Sequence, residues 1–413
     1  MKMTKCAYCG NEINDNRIVT HCKNGCHKSL FFCACGATNR TTAFYCRSCG
    51  KEVSYVDTLN RYTKSLKVSH STFDKQLFEL QLSQLGITED DELPRLYFSY
   101  GYIFLIFGIG KIIVLGCGNG EILATIELPD KVSTLPLDVS DKQSKSLFMF
   151  TASEIHRIDL VRDFSHEFLM KIGKEGFELS SQPIYFDRYF FLVFRQDSDT
   201  QIRLVSLDGD LMDIISLNGA ISQPVQAKNK VFFYTQDEIF IYDHTTKSVS
   251  YRNENTHHFI IRSDPKSDGT RVYALTDDER LYRINLEDEI PEIFGLPHPQ
   301  LMQVNFKVAD ERIIIAHSGG VLVTNILGQT EWSSDELLNS YPAYKFPPTS
   351  FGNYISFVMS YPNTEVLHII ETNGYKQTGS CLGNFLLRPI YYGGNIYTVV
   401  EEDTNIIMRV YKL

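Results

Sequence analysis

"NKVFFYTQDEIFIYDHTTKSVSYRNE", from Asn229 to Glu254, holds three short apolar runs separated by polar tips. Aromatic and β-branched residues suit a pleated strand, and tips of this composition suit hairpin turns. The first run recurs along the chain as "GYIFLIF" at Gly101, "KSLFMFT" at Lys145 and "RYFFLVF" at Arg188, and again as "TRVYALT" at Thr270, "ERIIIAH" at Glu311, "NYISFVM" at Asn353 and "NIYTVVE" at Asn395. Counting the run at Asn229, successive starts lie 44, 43, 41, 41, 41, 42 and 42 residues apart. The second run recurs too, as in "KIIVLGCGNG", "EIHRIDLVRD", "RLYRINLEDE" and "IIMRVYKL". Seven of the eight units continue into a further short strand such as "LMDIISL", and many open near Pro or Ser, as in "SSQPIYF" and "LLRPIYY". So constant a period marks a repeat architecture.

Four short strands every 41–44 residues describe the blade of a β-propeller, in which each sheet buries its faces only against its neighbours. The expected fold is all-β, a propeller over residues 94–413 with eight blades, or seven if the weak first unit is not one. The eighth unit ends at Leu413 after its third strand. Its outer strand must come from the segment before the first blade, residues 53–93. "RYTKSLKVS" (Arg61 to Ser69) and "KQLFELQLS" (Lys75 to Ser83) both qualify, and the second reads equally well as an amphipathic helix. "SDPKSDGTRVYAL" (Ser263 to Leu275) resembles the "SPDG" opening of many propeller blades, and "LVSLDGDL" resembles their third-strand turn. On these residues the body resembles the quinoprotein-like and WD40-like propellers. It lacks the Trp-Asp strand ends, and Trp332, its single tryptophan, cannot supply the docking tryptophans of quinoprotein dehydrogenases.

The chain has 413 residues, 43% hydrophobic and 22% charged, as expected of a globular protein with a large core. Charge divides unevenly. Residues 1–55 carry eight Lys or Arg against three acids, a net +5, so the rest carries −15 of the chain's −10. An acidic body argues against phosphate-backbone binding by the large domain. "MKMTKCAYCGNE" has no apolar core of a signal sequence. "LYFSYGYIFLIFGIGKIIVLG" (Leu96 to Gly116) is long enough to span a bilayer, but its glycines and Lys111 fall where the repeat needs turns. Strands are expected there, with no membrane span and a cytoplasmic location.

Eight of the ten cysteines fall within residues 1–52. Cys6-x-x-Cys9-Gly10 is followed by Cys22-x-x-x-Cys26, and Cys33-x-Cys35-Gly36 by Cys46-x-x-Cys49-Gly50. Two thiolates on one tight turn point at one place, and two such turns complete a tetrahedral four-sulfur site suited to zinc. The spacing therefore predicts one structural zinc on Cys6, Cys9, Cys22 and Cys26 and a second on Cys33, Cys35, Cys46 and Cys49. His21 and His27 flank the second pair and compete for a place at the first ion. Disulfides are the weaker reading, because two body cysteines stand alone and no secretion signal is present. The arrangement resembles the double zinc ribbon family, with a Cys-x-Cys at Cys33 where that family has Cys-x-x-Cys. All-protein ligation leaves no position for water, so the metals would fold the head and catalyse nothing. The eight thiolates of two such sites also cut its apparent basicity to about +1. Phe31, Phe32, Phe44 and Tyr45 are expected to fill its small core, with stacking on nucleic-acid bases as the alternative.

No phosphate-loop, zinc-protease or nucleophile-elbow motif occurs. The glycines of "IFGIGKIIVLGCGNGE" fall at hairpin turns, and His257-His258 would face opposite ways on a strand. Cys117 is expected to be an inert or surface thiol, and Trp332 to anchor a blade or cap a loop. The reading is a non-catalytic scaffold that binds other proteins, with the zinc head as adaptor. The combination resembles the ribbon-plus-propeller component of bacterial systems with a MoxR-type AAA ATPase and a von Willebrand factor A protein, which implies those partners. The alternatives are nucleic-acid binding through Lys23, Lys28, Arg40, Arg47 and Lys51, and a small-ligand or enzyme site in the propeller channel.

Overall fold

The computed structural model describes residues 4–13, 19–21, 29–33, 35, 37–40, 43–53, 75–85, 92–140, 145–173, 176–186, 189–235, 238–253, 261, 263–276, 280–295, 305–317, 320–334, 343–361, 364–402 and 405–413. They divide into two compact units, Leu77–Pro299 and the combination of Met1–Gln76 with Gln300–Leu413.

The first unit holds five antiparallel meanders. The first sheet runs through Arg95–Ser99, Tyr102–Ile106, Lys111–Gly116 and Ile122–Glu127. The second runs through Leu137–Ser140, Lys145–Phe150, Glu154–Asp159 and His166–Lys171. The third has Ile184–Phe186, Tyr189–Gln196, Asp199–Ser206 and Leu211–Asn218, with a short extra strand at Glu178–Leu179. The fourth follows from Val225–Ala227 to Ser248–Asn253, and the fifth from Lys266–Ser267 to Pro291–Gly295.

In each sheet the second and third strands are buried on both faces, which explains their unbroken apolar runs. Leu147 and Met149 pack against Phe104, Ile106 and Ile112 of the first sheet, while Phe148 and Phe150 turn the other way against Phe190, Leu192 and Phe194 of the third. Phe191 and Val193 then face Val231, Phe233 and Tyr242 of the fourth. Phe232, Ile239 and Ile241 in turn face Val272, Ala274 and Tyr282 of the fifth. A strand's period of two thus feeds two separate cores. Fourth strands end their sheets and stay exposed, as along Leu211–Asn218.

The Gln300–Leu413 part of the second unit carries three more propeller sheets. The sixth runs from Asn305–Ala309 to Thr330–Ser333, and the seventh is built on Thr349–Phe351, Tyr354–Tyr361 and Thr364–Glu371. The 17-residue strand Lys376–Tyr392 closes the seventh with its first half and opens the eighth with its second. Asn395–Glu402 and Asn405–Lys412 follow. Where the sequence left a helix or a strand open at Lys75–Ser83, the structure has a strand, Lys75–Gln81, with a short 3₁₀ turn at Leu82–Leu85; Arg61–Ser69 lies outside the described residues. Trp332 is buried among Ile314, Val323, Phe357 and Met359, with its ring stacked on Tyr375 at 5.8 Å. It anchors the sixth sheet to the seventh.

Among the described residues there are thus eight successive antiparallel meanders, the pattern of an eight-bladed propeller. Leu96–Gly116 lies in three strands of the first sheet, and no helix among the described residues is long and apolar enough to cross a membrane. The glycines of that stretch make hairpin turns. Gly110 has φ +92°, and a Cβ there would lie 2.6 Å from the Asp130 carbonyl oxygen. His257-His258 lies outside the described residues.

Candidate metal centre

The turn from Cys46 to Gly50 is tightly determined by its backbone. The Cys46 amide donates to Lys51 O (2.7 Å) and the Gly50 amide to Cys46 O (2.9 Å), with Gly50 at φ +68°. The Ser48 amide donates to the Cys46 sulfur at 3.4 Å. Only a residue free to take positive φ can leave the turn in this direction, hence the glycine after the second cysteine.

Cys33, on a turn closed by its amide donating to Ala37 O (3.0 Å), and Cys35 meet this turn from the other side. The four sulfurs of Cys33, Cys35, Cys46 and Cys49 lie within 4.8 Å of one another. Cys33 Sγ is 3.7 Å from Cys49 Sγ, and Cys35 Sγ is 3.6 Å from Cys46 Sγ. A tetrahedral zinc–thiolate site with bonds of about 2.3 Å has sulfur–sulfur edges of about 3.8 Å, whereas a disulfide would need about 2.0 Å. The spacing suits a metal, and none of these four cysteines is joined in a disulfide.

Electrostatics agree. Burial alone would raise the Cys46 thiol, but the amides of Cys49 and Ser48 and the Cys35 thiol outweigh it and bring the pKa to about 6. At Cys33 the Cys35 amide pulls the other way, yet burial and the surrounding thiols leave the pKa at about 11. Four thiolates this close repel one another unless a cation stands among them. A zinc ion would supply that charge and hold all four deprotonated.

At the first predicted site, the turn from Cys6 to Gly10 repeats the pattern. The Cys6 amide donates to Asn11 O (2.8 Å), the Gly10 amide to Cys6 O (3.1 Å), and the Tyr8 amide to Cys6 Sγ (3.3 Å). Gly10 has φ +79°. Cys6 and Cys9 thus sit on a turn of the same construction as that of Cys46 and Cys49. Cys22, Cys26 and His27 lie outside the described residues, and His21 ends the strand Val19–His21.

Sequence reasoning missed what joins the two halves of the head. Thr38, fully buried, donates to Lys5 O at 2.6 Å, and Arg47 Nη2 donates to the same carbonyl at 2.7 Å. Arg40 Nε donates to Ala7 O at 3.2 Å, with its guanidinium 5.0 Å from the centre of the Tyr8 ring. Two of the five basic residues offered for nucleic acid are therefore occupied in tying one cysteine turn to the other. The aromatic residues divide: Phe31 is fully buried and Phe32 partly, but Phe44 and Tyr45 are 78% and 67% exposed. The expectation that all four fill the core is corrected for Phe44 and Tyr45. They flank the Cys46 turn, and Leu30, Phe31, Cys6 and Cys46 already fill the small interior.

No family model and no curated protein matches the sequence. Solved structures do match the fold. BamB from Moraxella catarrhalis aligns over 82% of this chain and 97% of its own, with a TM-score of 0.57 and 13% identity. Sqt1 from Saccharomyces cerevisiae aligns over 83% of this chain and all of its own, with a TM-score of 0.55 and 10% identity. The WD40 domain of SCAP from fission yeast aligns over 83% and 98%, with a TM-score of 0.50 and 12% identity. The body thus shares the β-propeller fold of these structures. At these identities the likeness extends to the fold alone.

Proposed function

We propose that the chain is a non-catalytic protein-interaction scaffold in which the propeller presents binding surfaces and the zinc head serves as an adaptor. The observation that carries this reading is an apolar outer edge on the second and third sheets. Phe168, Leu211, Met212 and Ile214 are 52%, 53%, 56% and 46% exposed. The turn at Gly209 lies against Leu169 and Met170, so the two outer strands adjoin. Among the described residues no strand pairs with the far side of Leu211–Asn218, which carries neither Lys nor Pro to block pairing. Such an edge suits the addition of a partner's strand.

Four protein thiolates around the second metal leave no position for substrate, in keeping with a structural ion. Exposed Phe44 and Tyr45 give the head an apolar contact of its own, and the engagement of Arg40 and Arg47 weighs against nucleic acid. In this reading the chain works in the cytoplasm, where thiols stay reduced, beside an AAA ATPase and a von Willebrand factor A protein, the partners its architecture implies. The test is co-purification of full-length protein with such candidates, compared with M212E/I214E and F44A/Y45A variants. Selective loss of a partner from either variant supports the scaffold reading. Equal recovery with all three proteins, or steeply salt-dependent binding to nucleic acid instead, contradicts it.

A further inference from the structure

The first strands of successive sheets are fastened together by a repeated device. In the third sheet Gln182, which precedes Pro183, accepts from the Leu135 amide at 3.0 Å and donates to the Leu135 carbonyl at 2.8 Å. Leu135 itself precedes Pro136 of the second sheet. In the fourth sheet Gln223, before Pro224, treats Gln182 in the same way, at 3.1 and 3.2 Å. Each glutamine therefore reads both backbone groups of its counterpart one sheet earlier. A primary amide suits this task because it offers one acceptor and one donor.

Among the described residues the device links the second, third and fourth sheets, and the eighth lacks it. Its residue before proline is Arg388, ahead of Pro389 and at a register shift of the long strand. Its counterpart in the seventh sheet is Pro347, ahead of Pro348. Proline has no N–H, so an amide clamp has nothing to accept there. A donor-only guanidinium stands in its place, and Arg388 has no hydrogen bond or ion pair among the described residues. It is open to solvent, yet enough protein surrounds it that loss of hydration lowers its pKa.

Lys307, on the first strand of the sixth sheet, extends to the first strand of the seventh, where its ammonium lies 3.4 Å from Ser350 O. Burial and then the Arg388 charge lower the Lys307 pKa, and Asp310 acts weakly the other way. The Ser350 hydroxyl is buried with no hydrogen-bond partner. Two cations and an orphaned hydroxyl lie on three successive first strands, and neither cation forms an ion pair among the described residues. Like charges held together in partial burial are costly unless an anion joins them.

We propose that Lys307, Arg388 and the Ser350 hydroxyl form a binding site for a small doubly charged oxyanion, a free phosphate or the phosphate group of a small monoester. The ammonium and guanidinium together match a dianion's charge, and the hydroxyl supplies a third donor. This site lies apart from the outer apolar edge and does not depend on the scaffold reading.

The experiment is thermal unfolding of the full zinc-loaded chain in phosphate-free buffer, titrated with inorganic phosphate or glycerol phosphate against sodium chloride at matched ionic strength. The expected result is a saturable rise in Tm with phosphate that chloride does not produce. Saturation by inorganic phosphate alone assigns the free ion, and tighter saturation by glycerol phosphate assigns the monoester. R388Q installs the residue found at the same place in the third and fourth sheets, so the fold has a precedent for it. R388Q and K307M should each weaken the response at least tenfold, and R388Q should raise Tm in phosphate-free buffer. No saturable response in the wild-type protein, or an undiminished response in K307M, overturns the proposal even if R388Q fails to fold.

Discussion

Replacing Thr38 by valine removes one hydroxyl from the seam between the two cysteine turns while keeping the side chain's volume. Thr38 is fully buried, donates to Lys5 O at 2.6 Å, and accepts from Arg47 Nη2 at 3.2 Å. Lys5 O keeps its bond from Arg47, so no carbonyl is orphaned. The loss is one buried neutral hydrogen bond, about 1 kcal/mol, plus part of a charge-assisted one, for a total of about 1–2 kcal/mol. The head has so little core that this falls on metal-coupled folding, and zinc affinity should drop by about 5- to 30-fold. The assay is competition for zinc against a chromogenic chelator in full-length protein, with R157M as a surface control in the propeller. If Thr38→Val binds zinc within twofold of wild type, the two turns fold independently and the seam is incidental.

Other perturbations address the propeller. Asp268 accepts from the amides of Thr270 (2.8 Å) and Arg271 (2.7 Å) and from the Tyr273 hydroxyl (2.8 Å). Burial alone would raise its pKa, but these donors outweigh it and hold the carboxyl below its ordinary value. Its contribution is therefore present above about pH 4 and lost as pH falls through the depressed value. Asp268→Asn should cost about 1–3 kcal/mol in urea unfolding at pH 7, and the gap from wild type should shrink on acidification below about pH 4. Trp332→Ala should cost about 3–5 kcal/mol, through the lost stack on Tyr375 and a cavity between the sixth and seventh sheets, as read by denaturant unfolding. Gly110→Ala should cost about 2 kcal/mol or more in the same assay, because its Cβ would meet the Asp130 and Leu128 carbonyl oxygens.

The propeller was legible because each blade repeats one physical problem. A strand covered on both faces must be apolar throughout, and "RYFFLVF" answers it by sending Phe190 and Phe194 one way and Phe191 and Val193 the other. The strand Lys75–Gln81 was ambiguous, since Phe78, Leu80 and Leu82 fit a strand's period of two while Leu77 and Leu80 fit a helix's i, i+3 spacing. The Cys33–Cys49 cluster was readable from spacing alone. Arg40 and Arg47 were not, because a basic residue in sequence looks the same whether it awaits a phosphate or holds a carbonyl 33 or 42 residues away. Lys307 and Arg388 were equally hidden. Their meaning depends on a glutamine device in other sheets and on a proline, Pro347, that cannot serve it.

The claim that function resides in the propeller and its surfaces requires a closed, structural metal in the head. X-ray absorption at the zinc edge on the C6S/C9S variant isolates the site formed by Cys33, Cys35, Cys46 and Cys49. Four sulfur neighbours at about 2.3 Å and no lighter atom in the coordination sphere is the predicted result. A spectrum requiring three or fewer sulfurs with an oxygen neighbour would contradict it, because such a centre has room for water and for chemistry.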